Sequence, residues 1–116
     1  MENITKTIEN SKYSHKFLVE NSEIYKMFNN LSQKAFQDGS IAKKYKELIA
    51  LGISIVVNCE PCLFWHINQA FESGCTYEEI LEVFEVAIEM GGGPAFARNQ
   101  FNLKVLDAVY KRHNEK

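Results

Sequence analysis

The sequence predicts an all-α protein of five or six helices, and three observations carry that expectation. Apolar residues recur at helical spacing, helix-capping signals fall between those stretches, and no segment shows the alternation of a half-buried strand. Residues 1–16 (MENITKTIENSKYSHK) are polar and run into an amphipathic pattern, so whether residues 4–20 form their own helix decides between five and six. In SEIYKMFNNLSQKAFQDG, Ile24, Phe28, Leu31 and Ala35 make a 3.6-period stripe flanked by Met27 and Phe36. Ser22 suits the N-cap, and Asp38-Gly39 suits the stop. A second helix is expected over 41–57, cationic at its start (Lys43, Lys44, Lys46) and wholly apolar afterwards, with Asn58 as the break. The CEPC segment then opens a helix ending near Ser73, with Gly74 at the C′ position. Thr76 and Glu79 read as a capping box for a helix through Met90. GGGP, residues 91–94, reads as a turn, with Pro94 in the first turn of a last helix reaching about Arg112.

Length and composition set the outer limits. A chain of 116 residues suits one modest core, so residues 1–116 are read as one domain with its core over about 22–98. Apolar residues at 46% and charged residues at 24% match a soluble globular protein. A net charge of −2, with 13 Lys and Arg spread along the chain, offers no basic stripe for nucleic acid. The longest apolar run, 48–57, is ten residues, too short to span a bilayer, and the N-terminus lacks a signal-peptide core. Three cysteines with one close pair do not form a secreted disulfide framework, so a cytoplasmic location is expected. The run LIALGISIVV has no polar face and must be covered all round, which a set of five short helices does poorly. Part of that surface is expected to close against another subunit.

The chemistry concentrates in residues 47–66. Cys59 and Cys62 stand at i and i+3 at a helix start, with Pro61 in the first turn where it breaks no hydrogen bond. Such a dithiol can cycle to a disulfide with little backbone motion, and a helix N-terminus favours thiolate. His66 follows Cys62 by four residues, on the same face, where an imidazole can exchange a proton with a thiol. A base needs an orienting partner, and Glu47 and Glu60 are the candidates. From the residues alone, Glu47 at the edge of the apolar run is expected to turn to solvent. Three readings of the cluster stand open on spacing: a redox pair, a Cys-Cys-His zinc site, or inert packing. Cys75 and His113 have no partner in sequence. Phe64 and Trp65, beside the motif, can pack the core or line a pocket, and core packing is the expected role of both.

Extended upstream, the segment is E-x11-C-x2-C-x3-H: Glu47, Cys59, Cys62 and His66. With GCTYEEILEVFEVAIEMGGGPAF at 74–96, it resembles the alkyl hydroperoxidase D-like branch of the carboxymuconolactone decarboxylase family over residues 22–98. The resemblance implies an all-helical homo-oligomer, a trimer or hexamer, that reduces hydroperoxides through a dithiol. It implies Cys62 as the attacking thiolate, Cys59 as the resolving thiol, and His66 with Glu47 as the proton relay. Glu47 is then a buried carboxylate rather than an exposed one. No metal or other cofactor is implied, and an external dithiol, lipoylated or thioredoxin-like, must restore the pair. The full alkyl hydroperoxidase D proteins carry two copies of the helical unit, against one here. The lactone decarboxylases of the family generally lack the cysteine pair.

Overall fold

The computed structural model describes residues 2–115. Its described residues form six helices and no strand: α1 (Glu2–Asn21), α2 (Glu23–Ala35), α3 (Lys43–Val57), α4 (Glu60–Glu72), α5 (Tyr77–Arg98) and α6 (Gln100–Asn114). Residues 4–20 therefore do form a helix of their own. Helix α3 is the centre, packed on α5 and α4, with α6 closing the far side of α4. The core is filled by Leu51 and Ile55 from α3, Leu63, Phe64 and Ile67 from α4, Ile80 and Phe84 from α5, and Val105 and Leu106 from α6. Ile4 and Ile8 of α1, one turn apart, complete it.

The turns that aim the chemistry are set by single residues. Asn58 ends α3 in the left-handed conformation (φ 58°, ψ 50°), which asparagine tolerates better than most side chains. Cys59 N–H then donates to Ser54 O at 3.1 Å and Asn58 N–H to Ile55 O at 3.3 Å, the paired bonds of a Schellman motif. The backbone of Cys59 is thus held by the end of α3 before α4 begins. The same motif closes α4: Gly74 (φ 93°) is left-handed, and Cys75 N–H reaches back to Ala70 O at 2.9 Å. The Thr76–Glu79 capping box opens α5 with both reciprocal bonds present, at 2.8 and 3.1 Å.

Three boundaries depart from the sequence expectation. Asp38 does not stop α2, which ends at Ala35. Its carboxylate instead accepts the Lys43 N–H at 2.7 Å, capping an α3 whose own N-cap, Ala42, has no acceptor. Lys46 takes up the loose α2 end by donating to the carbonyls of Ala35 and Gln37, at 3.0 and 2.6 Å. GGGP is a kink at Gly92 (φ 73°, ψ −163°) inside α5 rather than a full turn, because the chain resumes its helix within one residue. The last helix does not run from Pro94: Asn99 breaks it. The buried Asn99 amide donates to Ala95 O at 2.7 Å and to Ile55 O at 3.3 Å, and accepts from Asn102 at 2.7 Å. That corner satisfies a carbonyl at the end of α3 and so braces the turn that carries Cys59.

Helix α2 is unusual. The sequence stripe is present, yet Ile24 (81% exposed), Met27, Phe28 and Leu31 all face outward and α2 buries nothing. Its main neighbour is α1. The apolar run of α3 behaves the same way on one side: Ile49, Ile53 and Val57 join Val86 and Met90 of α5 in an open apolar groove.

Candidate functional site

The site forms where the start of α3, the start of α4 and the end of α2 meet. Glu47 falls on the stripe Glu47, Leu51, Ser54, Ile55, the face of α3 that meets the core, and is only 2% exposed. Its place on the helix puts it inside, so the solvent-facing Glu47 expected from the residues alone is overturned. Its charge is matched on both oxygens: Oε1 meets His66 Nδ1 at 2.8 Å, and Oε2 meets Lys43 Nζ at 2.7 Å. Burial pushes the Glu47 carboxyl up, but the hydrogen bonds and charges of His66 and Lys43 outweigh it, and the net direction is down. An ionised carboxylate only accepts, so His66 Nδ1 carries the proton and donates it, and Nε2 is the nitrogen that Glu47 does not engage. Glu60, the other candidate partner, is exposed at the start of α4.

Cys59 is the N-cap of α4, and Pro61 sits in the first turn without costing a backbone bond. Cys59 and Cys62 are joined as a disulfide, with Cα atoms 5.3 Å apart. Both are partly exposed, as exchange with an external thiol requires. His66 lies one turn along α4 from Cys62. Phe36, just past the end of α2, covers the Glu47–His66 pair: its ring is 5.4 Å from the His66 ring, and the Lys43 ammonium stands 5.7 Å from the Phe36 centroid. A cleft of about 460 Å³ opens beside these groups, lined by Lys43, Glu47, Phe36, Trp65, Gln69 and His15 among others.

Two aromatic expectations separate. Phe64 is core, but Trp65 is 45% exposed, because α4 turns residues 63, 64, 67, 70 and 71 inward and leaves 65 on the opposite side. There it packs against His15 of α1, ring centroids 5.6 Å apart, and His15 in turn bonds the Tyr25 hydroxyl at 2.9 Å. Trp65 forms one wall of the cleft and also lines a second cavity, between α1, α4 and α6. Lys43, Trp65, His15 and the Asn99 brace were not legible as site residues in the sequence. Only the cationic start of α3, at odds with the helix dipole, hinted at Lys43.

Cys75 is not part of the disulfide. It is buried and free, its thiol 3.8 Å from Lys44 O. Burial first, then Glu79, pushes its thiol up, away from the reactive thiolate. In the oxidised protein, an alkylating reagent should therefore label no cysteine until the fold is denatured, when Cys75 alone reacts; intact mass before and after denaturation reads this directly. His113, the other unpartnered residue of the sequence, stacks on Phe71 at 5.3 Å and belongs to the α4–α6 packing. Among the described residues, no three His, Cys, Asp or Glu side chains converge as a metal-binding group. No described helix is long and apolar enough to cross a membrane.

The profile of the carboxymuconolactone decarboxylase family matches residues 22–102, which contain Glu47, Cys59, Cys62 and His66. The chain belongs to the carboxymuconolactone decarboxylase family. An uncharacterised protein of Cupriavidus necator is 37% identical over 82 residues, 71% of this chain and 73% of that one. An uncharacterised protein of the cox locus of Paracoccus denitrificans is 39% identical over 82 residues, 71% of this chain and 74% of that one. Among solved structures of the carboxymuconolactone decarboxylase family, one from Legionella pneumophila superimposes with a TM-score of 0.78 at 29% identity, covering 96% and 97% of the two chains. Another, from Thermotoga maritima, gives 0.80 at 24% identity, covering 95% and 94%. That protein is linked, as a possibility, to an antioxidative response.

Proposed function

We propose that this family member is a thiol-dependent peroxidase of the alkyl hydroperoxidase D-like branch, working through the Cys59/Cys62 pair. The observation that carries the reading is the buried Glu47 hydrogen-bonded to the histidine one turn from an i, i+3 cysteine disulfide. A structural relative whose link to an antioxidative response is itself a possibility points the same way. Starting from the dithiol, the Cys62 thiol passes its proton to His66 and the thiolate attacks the terminal hydroxyl oxygen of ROOH; the O–O bond breaks, sulfur becomes sulfenic acid, and RO⁻ departs. His66, its Nδ1–H fixed on Glu47, delivers the proton that turns RO⁻ into ROH. The Cys59 thiol then condenses with the sulfenic acid, forming the disulfide and releasing water. The sum is dithiol plus ROOH to disulfide plus ROH and water. An external dithiol, lipoylated or thioredoxin-like, reduces the pair by exchange, which suits a reducing, cytoplasmic setting and requires no cofactor. The alternative reading as a lactone decarboxylase needs neither thiol, so a double Cys→Ser variant separates the two: the peroxidase reading requires it to be inert toward peroxide, and retained turnover of peroxide overturns it.

The same reading includes a homo-oligomer, a trimer or hexamer, assembled through the uncovered apolar faces of α2 and of the α3–α5 groove. Exposed Ile24, Phe28 and Leu31 on one side and Ile53, Val86 and Met90 on the other are the surfaces a second copy would cover. Ile53→Asp is expected to shift the protein to monomer in light scattering with its helicity unchanged; a wild-type monomer at micromolar concentration would refute the assembly.

A further inference from the structure

The first turn of α3 breaks a local rule. Lys43, Lys44 and Lys46 crowd the positive end of a helix that has no acid in that turn. Such conflicts persist where another requirement outweighs them. Two of the three are structural. Lys44 pairs with Glu79 at 3.3 Å, tying α3 to α5, and Lys46 holds the end of α2. Lys43 alone turns its charge to the site.

Its ammonium meets the oxygen of Glu47 that His66 leaves free, at 2.7 Å, while standing over the Phe36 ring that also packs on His66. Three contacts therefore fix it: an i, i+4 ion pair, a cation–π contact, and its own backbone bond to Asp38. The carboxylate is split between a partner that must exchange a proton and one that does not exchange. With His66 as sole partner, the buried Glu47 would lose its counter-charge each time the imidazole became neutral, and would draw the Nδ1 proton to itself. The other groups near Glu47 do not substitute for Lys43. The Cys75 thiol is neutral, and the Lys44 charge is engaged by Glu79. His15, across the cleft on α1, is engaged by Tyr25, and Phe36, just past α2, is apolar.

We propose that Lys43 is a positioning residue of the relay, a fixed counter-ion that keeps Glu47 a carboxylate through the whole proton-transfer cycle and so keeps the proton of His66 on Nδ1. The inference rests on the peroxidase reading for its consequence but not for its test. In oxidised protein, with no peroxide present, the infrared band of the protonated Glu47 carboxyl can be assigned by its loss in Glu47→Gln and followed on acid titration. In Lys43→Gln that band should emerge at a higher pH than in wild type, and Lys43→Arg should follow wild type. Lys43→Met provides the same readout in case the glutamine variant folds poorly. In turnover, Lys43→Gln should slow peroxide-driven dithiol oxidation by roughly tenfold, a minor part of the 10²–10⁴ that a full general acid supplies. Its acid limb should move toward neutral pH, with the arginine variant restoring both. A Glu47 band that titrates identically in wild type and both neutral variants would overturn the proposal, whatever the peroxidase assay shows. A wild type inert to peroxide would instead overturn the functional reading while leaving the infrared result standing.

Discussion

Cys62→Ser should abolish peroxide-driven thiol oxidation, while Cys59→Ser should permit one round and then stall as a sulfenic acid. The asymmetry follows from the site. Cys62 is one turn from His66, whose Nδ1 is locked on Glu47, so a leaving alkoxide formed at Cys62 has a proton donor within reach. Helix electrostatics argue the other way, since Cys59 as N-cap sits at the positive end of α4, where a thiolate is favoured. The two effects differ in size. A helix terminus is worth about 0.3–1 kcal/mol, and a positioned general acid about 10²–10⁴-fold, or roughly 3–5 kcal/mol. On the proposed peroxidase reading, proton delivery therefore sets the expected order, with Cys62 as the attacking thiol. A dimedone-type probe that reacts with sulfenic acids should label Cys59→Ser at position 62 after peroxide and leave Cys62→Ser unlabelled. Labelling of Cys59 in Cys62→Ser would reverse the assignment.

Glu47→Gln is the second large effect, and here function and stability separate. The glutamine can still accept from His66 Nδ1–H through its carbonyl, so the ring stays in place, but the negative charge that stabilises an imidazolium is gone. Peroxide-driven oxidation should fall by about 10²-fold or more, within the range assigned to general acid–base catalysis. Stability should fall much less. Breaking a buried ion pair costs about 3–5 kcal/mol when it strands a charge. Lys43, however, is 38% exposed and can swing its ammonium into water, and His66 can go neutral, so about 1–3 kcal/mol is expected. The pH dependence follows from the direction of the Glu47 shift. Its native pKa lies below the unfolded value, so the stabilisation is fully present above the ordinary carboxylate range near about 4.3 and is lost as pH falls through the depressed native value. Wild type should therefore lose stability relative to Glu47→Gln on acidification. Denaturant melts of both proteins across that range measure it, and a difference that does not change with pH would contradict the ionised, paired carboxylate.

The fold was legible because its signals are local. Ser22 accepts from Tyr25 N–H, Asn58 and Gly74 are left-handed, and Thr76 and Glu79 make their box, each as the neighbouring residues dictate. What escaped was long-range. Asp38 reads as a helix stop, yet it caps a helix five residues on. Asn99 reads as an ordinary helical residue, yet its amide reaches a carbonyl 44 positions earlier. The burial of Glu47 depended on which face of α3 meets α4, and the apolar composition of the run left every face eligible. For Trp65 the pocket-lining alternative holds over core packing, because hydrophobicity says that a side chain prefers cover, not which element supplies it, and here cover comes partly from His15 of a helix some 50 positions away in sequence. The outward apolar face of α2 shows the reverse case, a correct helical period whose apolar side chains stay exposed among the described residues.

The dithiol chemistry itself is tested by counting thiols. Protein reduced, freed of reductant and checked for metal should present three thiols on denaturation, and one equivalent of hydroperoxide should leave one, Cys75, with no metal bound or released. Three thiols surviving that equivalent, or thiols that appear only after a chelator removes about one metal per chain, would contradict a peroxide-reducing Cys59/Cys62 pair.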